Sequence, residues 1–103
     1  MHYGLVRLEL IPAADATTEP ALRSLLAGGD VFRWSDGPGA AYSPHSHDHD
    51  ETICLLEGAI TFTAGGKTIH LARAGDRLNL PAGTVHAAEA GPAGATYLIA
   101  EHR

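Results

Sequence analysis

The chain has 103 residues, 45% of them hydrophobic and 18% charged, with a formal net charge of −5. That length and apolar content predict a single globular domain over residues 1–103 and exclude a disordered chain. The acidic balance, with Lys67 as the sole lysine, leaves no basic patch for nucleic acid or an anionic membrane, and no apolar run approaches the ~18 residues of a membrane span.

The elements follow in chain order. Residues 3–11, YGLVRLELI, alternate apolar and polar side chains and predict a strand. The next stretch changes period. Thr18 is placed to cap a short helix with Glu19 and Pro20 in its first turn, an apolar stripe of Ala21, Leu22, Leu25 and Leu26, and Gly28-Gly29 as the stop. No helical period recurs after it. From residue 31 the pattern is strand, turn, strand. VFRW is followed by the turn segment SDGPGA, then AYSPHSH, TICLLE ending at Gly58, AITFTA, and KTIHLA across Gly65-Gly66. RLNLP, TVHAAEA and ATYLIA complete the series, with turns at RAGD, AG and GPAG. Turn signals every ~8–12 residues, with twelve glycines and six prolines, predict an all-β barrel or sandwich.

One cysteine, Cys54, permits no internal disulfide, and the N-terminus lacks a signal-peptide core. The expectation is a cytoplasmic protein in which Cys54, on an apolar strand, acts as a small hydrophobe.

Seven histidines are the unusual feature of the composition, and three fall within PHSHDHDET, residues 44–52. Imidazole and carboxylate are the usual ligands of divalent first-row metals. On an extended segment His45 and His47 project to one side, and a turn through the following residues can return Glu51 to the same centre. His49 shares their parity, so a set of His47, His49 and Glu51 is also open, as is simple chelation by the unstructured tract. A fourth ligand must come from elsewhere. His86 is the candidate, because its flanks Val85 and Ala87 put it in an apolar setting where an imidazole needs a partner or an ion. His2 and His102, near the termini, and His70 are expected to face solvent. Trp34, Tyr42 and Phe62 are assigned to core, with Tyr42, three residues before His45, the aromatic best placed to reach a pocket.

Residues 39–58 read G-x5-H-x-H-x3-E-x6-G, and 75–86 read G-x5-P-x-G-x2-H. Together, in this order and spacing, they resemble the two motifs of the cupin superfamily, with motif 1 at 39–58 and motif 2 at 75–90. The resemblance implies a cupin jelly-roll β-barrel with a short N-terminal helix and a divalent transition metal inside it: Fe, Mn, Zn, Ni or Cu. It carries the ligand role onto His45, His47, Glu51 and His86, leaving His49 in solvent, and Glu51 is the residue open to a catalytic role. The second motif usually ends in Asn where this chain has Ala90, which puts the local turn in doubt and not the ligands. The implied activity is that of a metal-dependent small-molecule protein, first a dioxygenase or related oxidoreductase, next an isomerase or lyase, or else a ligand-binding module without turnover. A small-molecule ligand and a homodimer are the expected partners.

Overall fold

The computed structural model describes residues 10–11, 18–26 and 28–102. The expected strand over 3–11 lies mostly outside them; its end is β1 (Leu10–Ile11), which pairs antiparallel with β6 (Arg77–Leu80). Helix α1 (Glu19–Leu25) starts at Thr18, but the cap is made by backbone alone: Leu22 N–H donates to the Thr18 carbonyl, while the threonine side chain makes no capping bond. Leu22 and Leu26 are buried and Leu25 is exposed, so the apolar stripe is narrower than the sequence implied.

The other strands are β2 (Asp30–Asp36), β3 (Ala41–His45), β4 (Asp50–Ala64), β5 (Lys67–Leu71) and β7 (His86–His102). All pairings are antiparallel. The order along the sheet is β1-β6-β4-β7-β2, with β3 also on β7 and β5 also on β4.

Two expectations of separate strands are corrected. TICLLE and AITFTA form one strand, β4, and TVHAAEA and ATYLIA form another, β7. Gly58 does not close a turn. It sits at an irregularity inside β4, between the Leu55/Glu57 and Gly58/Ile60 shifts in its pairing with β7. Its φ is +79°, and a Cβ there would lie 2.2 Å from the Gly94 carbonyl oxygen. Only glycine fits both the left-handed backbone and that approach. The two long strands bend together at this point. Their outer halves pair at Asp50–Leu55 with Tyr97–His102, and their inner halves at Ile60–Thr63 with Ala87–Ala90.

The bend folds one continuous sheet over itself. β2 and β6 extend one layer and β3 and β5 the other. The core between them draws Ile53, Leu55 and Leu78 from the first layer and Ile60, Phe62 and Leu71 from the second. Alternate residues of the first layer point the other way, where Cys54, Leu98 and Ala100 pack with Leu22 and Leu26 of the helix region. That explains why residues 51–55 are buried in an unbroken run: one face meets the barrel interior and the other meets α1. Cys54 is wholly buried there, as expected of a small hydrophobe. The result is the predicted antiparallel jelly-roll barrel with one short helix.

Candidate metal centre

Three of the four resemblance-derived residues converge. The ligand nitrogens of His45, His47 and His86 all lie within 4.8 Å of one another. Their rings stand 4.4 Å (His45–His86), 5.0 Å (His45–His47) and 5.3 Å (His47–His86) apart at the centroids. Strand register brings this about: His45, the last residue of β3, is the direct cross-strand partner of His86, the first residue of β7.

The loop and turn that flank these residues are fastened to each other. Pro81–Thr84 forms a turn closed by Thr84 N–H donating to the Pro81 carbonyl at 3.1 Å, with Gly83 at φ +79° in the position where such a turn needs a positive angle. Gly83 N–H donates to the His47 carbonyl at 2.8 Å, and Ala82 N–H to the Asp50 carboxylate at 2.7 Å. The Pro-x-Gly segment therefore anchors both the loop bearing His47 and the strand beginning at His86. Asp50 supplies half of that fastening.

Two ring orientations are set from behind. His45 Nδ1 lies 2.7 Å from the Ser43 carbonyl and His86 Nδ1 lies 2.9 Å from the Thr84 carbonyl. A carbonyl only accepts, so each Nδ1 carries the proton and each Nε2 presents its lone pair. Burial, ahead of all other influences, holds the His86 pKa below the ordinary histidine value, which keeps the ring neutral. Three converging imidazoles are a donor set that fits a divalent transition ion, and the cluster could hold one.

Glu51 is buried, but its carboxylate belongs with a second set of ligand atoms, His47, His49 and Glu51, not with His45 and His86. Oε1 lies 3.6 Å from His47 Nε2 and Oε2 lies 3.1 Å from His49 Nε2. His49 is therefore not the solvent-facing residue expected: its side chain is only 11% exposed. Folding the loop back over β4 packs the imidazole onto Glu51 and onto Glu101, whose Oε2 is 3.2 Å away. The pKa of His49 is raised, first by its bond to Asp48 and then, against the opposing effect of burial, by Glu51.

The histidine cluster lines a cavity of about 520 Å³ between the two layers. Ile53, Ile60, Phe62 and Leu80 make its apolar wall; Phe32, Trp34, Tyr42 and Tyr97 add aromatic surface. Trp34 and Tyr42 are exposed at the cavity and not core, correcting the expectation for both, whereas Phe62 is buried as expected. Tyr42 is, as anticipated, an aromatic of the pocket. Asp36, read from sequence as a turn residue, organises this side. Its Oδ1 accepts from Trp34 Nε1 at 3.0 Å and from the Tyr42 hydroxyl, and its Oδ2 accepts from the Tyr97 hydroxyl at 2.6 Å. The Tyr42 pKa is raised by the bond to Asp36 and then by burial; that of Tyr97 is raised well above the ordinary range by burial and then by the same bond.

His70 is exposed on β5 and bonds Thr61 Oγ1 at 2.8 Å. His102 is partly buried, not solvated, with Nε2 3.1 Å from Thr52 Oγ1. His2 lies outside the described residues. The signal that could have drawn attention to Glu101 was its alternation with Tyr97 and Ile99 on the pocket face of β7.

A two-layer antiparallel barrel with a histidine cluster lining an apolar pocket is a cupin-like arrangement. Residues 32–99 match the cupin domain family, and the chain belongs to that family. Among solved structures it is similar to a cupin superfamily protein from Desulfitobacterium hafniense, at 19% identity and a TM-score of 0.62, covering 95% of this chain and 80% of that one. It is similar to KdgF from Halomonas sp. at 26% identity and a TM-score of 0.58, covering 71% and 69% of the two chains. The DMSP lyase DddQ from Ruegeria pomeroyi is similar at 23% identity and a TM-score of 0.65; the match covers 71% of this chain and only 37% of that one. No curated protein matches the chain in sequence.

Proposed function

We propose that the protein is a metal-dependent cupin acting on a small, mainly apolar molecule that carries a metal-binding oxygen. In this reading His45, His47 and His86 hold a divalent transition ion and Glu51 completes the set by turning Oε1 toward it. The observation that carries the reading is the convergence of three imidazoles on one point of an apolar cavity of about 520 Å³, a volume in the range of small-ligand sites. When bound, such an ion supplies Lewis-acid polarisation of a substrate oxygen and, if it is iron, dioxygen chemistry. The chain's own contribution is placement. The aromatic wall seats a flat apolar body, the apolar lining excludes water, and Glu51 sits where a carboxylate can take a proton from a bound molecule.

Dioxygenation of an enolic or catecholic substrate is the first reaction assigned. Isomerase or lyase chemistry at a carbonyl, with the ion as Lewis acid, is the second. Metal analysis of untagged protein, followed by oxygen uptake of the Fe(II) form with diketones, catechols and thiols, tests the assignment. Turnover without oxygen consumption replaces the first reaction with the second. Tight binding without turnover reduces the protein to a ligand-binding module.

A homodimer belongs to the same reading. β2 ends the strand order among the described residues and exposes Phe32 and Trp34, so its free edge gains from pairing. A one-chain mass in light scattering that is independent of concentration overturns it.

A further inference from the structure

Glu51 and Glu101 are direct cross-strand partners on β4 and β7, and both side chains line the pocket. Like charges directly opposite on a sheet repel, and here one glutamate is 7% and the other 21% exposed, so solvent does little to screen them. Their Oε2 atoms lie 3.1 and 3.2 Å from one atom, His49 Nε2. On the other side of the ring, Nδ1 is 2.9 Å from the Asp48 carboxylate, which only accepts, so Nδ1 carries a proton. With no ion present Nε2, which faces two carboxylates that only accept, carries a proton as well; an ion taking that proton's place would find Nδ1–H held from behind by an acceptor, the arrangement that orients metal-bound histidines. His45 and His86 have it too, each with a backbone carbonyl in the acceptor's place.

We propose that His49 Nε2, Glu51 Oε2 and Glu101 Oε2 form a second divalent-cation site, next to the three-histidine site and sharing Glu51 as a bridging carboxylate. Glu51 offers Oε1 on the side of His47 and Oε2 on the side of His49, so one carboxylate faces both positions. The donor set, one nitrogen and two carboxylate oxygens, is harder than three imidazoles and suits Mn(II) or Zn(II). An ion there would take the place of the Nε2 proton that otherwise lies between the two glutamates.

The bridging role of Glu51 rests on the function proposed above; the site itself does not. Zn(II) titration by calorimetry, with metal content after dialysis, is expected to give two equivalents per chain. Glu101→Gln and His49→Ala are each expected to reduce this to one, and His86→Ala to leave one as well, through loss of the other ion. In the Mn(II)-loaded protein the second equivalent broadens the EPR signal of the first. A single wild-type equivalent that is lost in His86→Ala and kept in Glu101→Gln and His49→Ala overturns the proposal, as does a second equivalent that survives both Glu101→Gln and His49→Ala in protein that remains folded by circular dichroism. Unchanged metal content in His86→Ala overturns the three-histidine reading and leaves this one standing.

Discussion

His45 and His86 face each other across adjacent antiparallel strands, with ring centroids 4.4 Å apart, although 41 positions separate them in the chain. The pairing makes the centre a property of the folded barrel. His86→Ala, or His45→Ala, is therefore expected to lower metal affinity by more than the ~10–100-fold that loss of an outer-shell partner costs. A peptide of residues 44–52 should bind far more weakly than the domain. Equal affinity of peptide and domain, measured by calorimetry, would return the histidine tract to simple chelation.

The crossing of β4 and β7 predicts a strong backbone requirement. Gly58→Ala places a methyl group 2.2 Å from the Gly94 carbonyl oxygen at a φ of +79°. The positive angle alone costs on the order of 1–3 kcal/mol, and relief of the clash adds to it. Urea unfolding should show the lower midpoint; a midpoint within experimental scatter of wild type would mean that the two strands separate freely here.

Asp36 holds three donors from three strands, so Asp36→Ala leaves the buried Tyr97 hydroxyl without its carboxylate acceptor and removes one of the two bonds that hold the Trp34 indole. The expected loss is about 1–3 kcal/mol for the unpaired hydroxyl. Trp34 is the sole tryptophan, so its fluorescence reports on the pocket directly. An emission spectrum unchanged in Asp36→Ala would show that the carboxylate does not position that ring.

Tyr97 sets a pH dependence. Its pKa is raised in the folded protein by burial and by Asp36, so the fold holds a proton that the unfolded chain releases near pH ~10. The stability linked to this group is full below that value and falls as pH rises beyond it. Unfolding midpoints should drop between about pH 9 and about pH 11, and the drop should be smaller in Tyr97→Phe. Parallel pH curves for the two proteins would assign the alkaline loss to other groups.

Much of this architecture was legible because its signals are local. Paired glycines at 65–66 mark a hairpin, alternation marks strands, and the two spaced motifs bring His45, His47 and His86 together by resemblance. What stayed hidden depends on register over long separations. Gly58 and the GPAG segment read as ends of strands because glycine usually interrupts them; only their mutual contact reveals two bends in two unbroken strands. His49 looked solvated because its neighbours are Asp48 and Asp50, while the residues that enclose it, Glu51 and Glu101, meet across β4 and β7. Asp36 sits among turn-forming residues, and nothing in the one-dimensional pattern says that Tyr97, 61 positions on, points its hydroxyl at it.

β4 and β7 each run through both layers of the barrel, so each of these two pieces of chain contributes to both walls of the pocket. Asp36 ties Trp34 and Tyr42 together where both are exposed at the cavity, so two aromatic side chains of the pocket share one carboxylate.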